Sequence, residues 1–122
     1  MPSKHILVLE DEPLVAMDLR LAIEDTGCTA TVARSNAEAL AAIEQGPVSV
    51  AILDVTLGDG ETCEPSASVL SDRGIPFLLH TGDWNRAGER LRKFGAPVIT
   101  KPQSSDLVAA KALELADQRL SG

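Results

Sequence analysis

Aromatic side chains are nearly missing: there is no Tyr, and two Phe and one Trp make up 2% of the chain. A core must therefore be filled by Leu, Ile, Val and Ala, which favours helices packed on a sheet over an aromatic-rich interaction surface. Cysteine is scarce too. Cys28 and Cys63 stand far apart, without metal-type spacing, and two thiols do not make a disulfide framework. They read as unpaired small apolar residues in a reducing compartment. Basic residues are outnumbered, 11 Lys and Arg against 18 Asp and Glu, for a formal net charge of -7. Such a field repels a phosphate backbone, so no nucleic-acid partner is expected. No apolar run is long enough for a signal peptide or a membrane span, so the expectation is a soluble, cytoplasmic chain without membrane contact.

What is present suits one compact domain over residues 1–122, with 44% hydrophobic and 24% charged residues and no repeat, low-complexity tract or linker. Short apolar runs alternate with amphipathic stretches. The first run, His5 to Leu9, is continuous and aliphatic, as in a strand buried on both faces. Pro13 suits the first turn of a helix, whose apolar residues recur at Leu14, Met17 and Leu21 before Gly27 stops it. Cys28 to Ala33 reads as a second strand. Ser35 then caps a helix carrying Ala39, Leu40 and Ile43, which Gly46-Pro47 breaks.

Val48 to Leu53 is a third strand ending at Asp54, followed by a glycine-containing loop and a short helix between Cys63 and Asp72. Phe77 to His80 is the fourth strand, Arg86 to Lys93 a weak helix, and Pro97 to Thr100 the fifth strand. Ser104 or Ser105 caps a final helix containing Leu107, Ala110, Leu113 and Leu120. Strands alternating with helices imply an α/β fold, a parallel sheet covered on both faces and doubly wound. Ligands in such folds sit beyond the carboxyl ends of the strands, where strand order reverses.

The residues just past those ends form a pattern. Strand one delivers Glu10, Asp11 and Glu12, strand three Asp54, strand four Thr81, and strand five Lys101 before Pro102. Clustered carboxylates repel unless a cation sits between them, and hard oxygen ligands suit Mg²⁺. A carboxylate can also attack phosphorus and form an aspartyl phosphate. Phosphoryl transfer then needs charge neutralisation more than an acid or base, which Mg²⁺, the Lys101 ammonium and the Thr81 hydroxyl can supply.

The segments HILVLEDEPLVA, AILDVTLGDG, IPFLLHTGD and PVITKP resemble, in order and over nearly the whole chain, the signature segments of bacterial response-regulator receivers. That resemblance implies the flavodoxin-like (βα)5 receiver fold with strand order 2-1-3-4-5. It implies that Asp54 is the phospho-acceptor and that Thr81 and Lys101 contact the phosphoryl oxygens. Asp11, Asp54 and the backbone carbonyl of Thr56 would hold Mg²⁺ directly, and Glu10 through a water. Implied partners are a sensor histidine kinase or phosphotransfer protein and a downstream protein effector. The receiver assists its own phosphorylation and dephosphorylation but is not an enzyme on a separate substrate.

The segment Pro76-Phe77-Leu78-Leu79-His80-Thr81-Gly82-Asp83-Trp84 further resembles a branch of short stand-alone receivers, some tied to general stress signalling; here Asp83 separates Gly82 from Trp84. Many receivers carry Tyr or Phe three residues before the lysine as a switch, where this chain has Val98. Helices three and four look short, with Pro65 near the start of one and Gly88 within the other. The usual fourth-helix dimer surface therefore looks degraded, and a monomer is expected. With no output domain after Leu120, the expected product is a stand-alone switch.

Taken singly, each site residue has an ordinary reading. Asp11 or Glu12 could cap the helix at Pro13, Asp54 and Thr81 could be turn residues, and Lys101 a solvated loop lysine. Independent caps have no reason to fall at matching strand ends, and that joint pattern favours the phospho-acceptor. His5 reads as a surface residue, His80 as one that packs or hydrogen-bonds near the rim, and Arg86, Arg90, Arg92 and Lys93 as a solvated helix face. Trp84 could contact a partner or pack its loop, and the resemblance to receivers implies that Thr56 and Asp83 border the phosphoryl position. Two rivals remain. A haloacid-dehalogenase-type phosphatase puts its nucleophile after the first strand in an Asp-x-Asp pair, whereas Asp54 follows the third strand with Thr56 two residues on. A pseudo-receiver would have lost the acidic pair, the acceptor or the lysine, all of which are present.

Overall fold

The structure is a computed structural model that describes residues 4–82 and 85–121, without the side chains of 59, 85–87 and 119–121. Five parallel strands, β1 (His5–Leu9), β2 (Thr29–Ala33), β3 (Val50–Asp54), β4 (Phe77–Thr81) and β5 (Val98–Thr100), stand in the order β2-β1-β3-β4-β5. Helices α1 (Pro13–Asp25), α2 (Asn36–Gln45), α3 (Glu64–Asp72), α4 (Asn85–Leu91) and α5 (Ser105–Ser121) alternate with them. The expected doubly wound sheet is present, with the expected order.

Strand alternation divides the core into two layers. Leu7, Leu9, Ala51, Leu53 and Leu79 face α2 and α3. Ile6, Val8, Val50, Ile52 and Leu78 face α1 and α5. The central strands are buried along almost their whole length, so β1, β3 and β4 read as unbroken apolar runs. β3 extends one residue further than its aliphatic run and includes Asp54 itself.

The helix boundaries follow local chemistry. Pro13 opens α1, Ser35 Oγ accepts from Glu38 N at 3.2 Å to cap α2, and Ser104 Oγ accepts from Leu107 N at 3.1 Å to cap α5. Gly27, just past α1, has φ 89°, a left-handed conformation that favours glycine. α3 and α4 are short, at 9 and 7 residues.

In α2 the expected Ala39 and Ile43 are buried against the sheet, but in α1 and α5 most of the larger apolar residues picked out by helical spacing are not those that meet it. In α1, Leu14, Met17 and Leu21 are 74%, 51% and 55% exposed, while Ala16, Leu19, Ala22 and Ile23 are buried. At roughly 100° per residue the two sets lie on opposite sides of the helix. Among the described side chains of α5, Val108, Ala109, Ala112 and Ala116 are buried, whereas Leu107 and Ala110 are exposed and Leu113 is half-buried; the side chain of Leu120 lies outside them. α1 and α5 pack against each other as well as the sheet, and the alanines among their buried residues allow close approach.

Candidate functional site

β1 and β3 are neighbours, but β1 connects onward to β2 on its other side, so strand order reverses between them. Their carboxyl ends define the crevice. Glu10 lies one residue past β1 and is 1% exposed, Asp54 closes β3 at 6% exposed, and Asp11 is half-buried beside them. Ligand oxygens of Glu10, Asp11 and Asp54 lie within 4.8 Å of one another. Lys101, just after β5, reaches across the rim: its Nζ is 3.2 Å from Glu10 Oε1 and 3.6 Å from Asp54 Oδ1. The peptide bond between Lys101 and Pro102 is cis. Thr81, at the end of β4, is buried, and its backbone carbonyl accepts from Lys101 N at 2.7 Å. Four strand ends thus bring together Glu10, Asp11, Asp54, Thr81 and Lys101, residues up to 91 positions apart.

The charge state of this cluster follows from its burial. Removal from water pushes the Asp54 carboxyl up to about 8, with repulsion from Glu10 adding to it and Lys101 opposing it. Burial alone would lower the Lys101 ammonium, but attraction to Asp54 and Glu10 outweighs it, and its pKa is raised. The crevice thus gathers three carboxyl groups around one ammonium. Three carboxylates in mutual reach are hard oxygen donors of the kind that suit Mg²⁺, so the residues present fit that ion.

The loop after β3 borders the crevice. Thr56 is exposed and bridged to Thr62, Leu57 N donates to Glu61 O at 2.8 Å, and Cys63 N donates to Val55 O at 3.2 Å. A Cβ on Gly58 would lie 3.5 Å from Asp11 Oδ2, which places this loop against the acids. Behind Asp54, the buried Cys63 thiol is pushed up to about 12 by burial and then by the Asp54 charge, so it stays protonated. Neither cysteine is in a disulfide.

His80 pairs with Asp54 in the β3–β4 register and is 4% exposed. Neither ring nitrogen has a hydrogen-bond partner among the described residues. Burial, and then the Lys101 charge, lower its pKa to about 4, so the ring is neutral packing at neutral pH. His5 is half-buried, with its ring nitrogens 2.6 and 2.7 Å from the hydroxyl oxygens of Thr29 and Thr31, at the sheet end opposite the rim. Val98 is 38% exposed on the edge strand. Asp83 and Trp84 lie outside the described residues, as does the side chain of Arg86.

One group was not visible as functional in the sequence. Asn36 opens α2 but is buried, and its amide links the β3–α3 loop to Ser66 of α3. Directly after the Ser35 cap it reads as an ordinary helix-start residue, and no local signal separates it from one.

A doubly wound five-stranded sheet with an acidic crevice and a lysine at its switch point defines the class of CheY-like receivers. A CheY-like response regulator receiver domain protein from Methanospirillum hungatei JF-1 superposes with a TM-score of 0.87 over 98% of both chains, at 24% identity. A receiver domain of a signal transduction histidine kinase from Syntrophus aciditrophicus gives 0.82 at 26% identity, over 95% of this chain and 92% of that one. SdrG from Sphingomonas melonis Fr1 is 40% identical over 95% of this chain and 98% of its own, with a TM-score of 0.76. The chain belongs to the response-regulator receiver family of two-component systems. No protein-family model matches it. Among curated proteins, the acid tolerance regulatory protein ActR of Sinorhizobium medicae is 27% identical over 98% of this chain, which spans 63% of ActR's length. Among the described residues, no helix is long and apolar enough to cross a membrane.

Proposed function

We propose that Asp54 accepts a phosphoryl group from a phosphohistidine of a sensor histidine kinase or phosphotransfer protein, and that residues 1–122 act as one cytoplasmic, monomeric receiver. Asp11, Asp54 and the Thr56 backbone carbonyl would hold Mg²⁺, with Glu10 acting through a bound water. The ion, when bound, neutralises charge on the phosphoryl oxygens and orients them for in-line attack. A carboxylate oxygen of Asp54 forms the bond to phosphorus as the phosphorus–nitrogen bond of the donor breaks, and the imidazole departs with a proton. Lys101 turns from the carboxylates to a phosphoryl oxygen, and the Thr81 hydroxyl donates to another. Water attack on phosphorus later releases phosphate and restores Asp54.

The observation that carries this reading is Lys101 Nζ lying 3.2 Å and 3.6 Å from two buried carboxylates of a three-acid cluster. Asp54 is buried beside Lys101, which supports it as the group whose phosphoryl adduct an ammonium and a bound cation would neutralise. Output then passes to a protein effector whose affinity changes with the rim. Participation in general stress signalling is the version suggested by segment 76–84, which contains β4.

Incubation with acetyl phosphate and Mg²⁺, followed by intact-mass measurement, tests the proposal. One added phosphoryl group is expected, absent in Asp54→Asn and without divalent cation. No adduct in the wild type would leave a passive binding module. Turnover of phosphate ester in excess over protein would revive a phosphatase.

A further inference from the structure

We infer that Asn36 is a positioning residue for the cation: from α2 it holds the β3–α3 loop so that the Thr56 carbonyl faces the acids. The inference rests on the Mg²⁺ reading above and concerns residues outside the ligand set. Asn36 is 7% exposed, and its side-chain amide makes three hydrogen bonds among the described residues. Its Nδ2 donates to Thr62 O at 2.9 Å and to Glu61 Oε1 at 3.1 Å, while its Oδ1 accepts from Ser66 Oγ at 2.6 Å. The amide orientation is fixed by its partners, because a carbonyl oxygen can only accept.

These bonds act where the loop turns back. Thr62 is the bridge partner of Thr56, and Glu61 supplies the carbonyl that accepts from Leu57 N. Gly58, between them, lies against Asp11. Both loop residues that Asn36 grips are therefore paired with the stretch that carries the proposed carbonyl ligand. Ser66 ties the same amide to α3, so the loop is suspended between two helices and does not depend on its own short hydrogen bonds alone. Asn36 also engages the Glu61 carboxylate, which keeps that further negative group committed on the α2 side. Outer partners of this kind orient metal ligands, and their loss typically weakens metal affinity roughly ten- to a hundred-fold.

Asn36→Asp separates this role from simple packing. The substitution is isosteric, keeps an acceptor for Ser66, and places a carboxylate in the first turn of α2, where the helix dipole favours it. It removes both donors to the loop and repels Glu61. Calorimetric titration of Mg²⁺ into the full chain should show affinity at least about ten-fold weaker than wild type, with the thermal transition in chelator retained. Adding Glu61→Gln to Asn36→Asp restores a donor facing the new carboxylate and should recover part of the affinity. Should the charged variant fail to fold, Asn36→Ala gives the same titration without the charge. A folded variant that binds Mg²⁺ as tightly as wild type overturns the inference and leaves the function standing. A wild type that binds no Mg²⁺ overturns both.

Discussion

Asp54 and His80 are cross-strand partners whose ionisation pulls stability in opposite directions. Asp54 rises from 3.8 to about 8 in the fold, so the folded state carries a proton that the unfolded chain has lost between those values. Stability therefore falls as pH rises through that window. His80 drops from 6.5 to about 4, so the unfolded chain takes up a proton that the folded state refuses, and stability falls on acidification between those values. In metal-free buffer the two slopes oppose each other from about pH 4 to 6.5, and Asp54 acts alone from there to about 8. The expected melting profile is level in the first window and declines in the second. Asp54→Asn should remove the decline, His80→Leu should extend it to lower pH, and saturating Mg²⁺ should flatten it in the wild type. A wild-type melting temperature that rises between pH 6.5 and 8 without metal would refute this assignment.

At the scale of elements, α1 is divided between two tasks. Its Ala16, Leu19 and Ile23 side bonds it to the sheet and α5, while Leu14, Met17 and Leu21 form an exposed apolar stripe. That stripe starts three residues after Asp11, so under the proposed function a donor presenting phosphohistidine to Asp54 would approach beside it. Leu14→Glu combined with Met17→Lys should leave the fold intact, because both side chains are mostly exposed. The acetyl phosphate reaction should be unchanged, while transfer from a phosphorylated donor protein slows at least about ten-fold, equivalent to about 1.4 kcal/mol. Equal rates from the donor for both proteins would show that the stripe lies outside the contact. α3 and α4 bear out their sequence reading: Pro65 sits in the first turn of α3, and α4 spans two turns.

For the whole molecule, a formal net charge of -7 and a short fourth helix both oppose self-association. Size-exclusion chromatography with light scattering should give the monomer mass, with and without Mg²⁺ and a beryllofluoride phosphoryl mimic. A stable dimer in either state would contradict that expectation.

The layout was legible in the chain because its signals are local. Aliphatic runs marked the buried strands, Pro13, Ser35 and the pair Ser104-Ser105 marked helix starts, and the polar residues after strands one, three, four and five marked the rim. Glu10, Asp11, Asp54, Thr81 and Lys101 could be placed together because a parallel sheet puts all its carboxyl ends on one side. Which side of α1 and α5 meets the sheet was not legible, since both helices carry apolar residues on more than one face and packing chose the alanine-rich one. Nor was Asn36, whose role depends on Glu61, Thr62 and Ser66, 25 to 30 positions away. Periodicity and strand-end chemistry determined the doubly wound α/β class and the acidic rim, and the family resemblance supplied the strand order. Tertiary packing decided burial, hence the raised Asp54 and the neutral His80, because desolvation depends on what the rest of the chain places around a group.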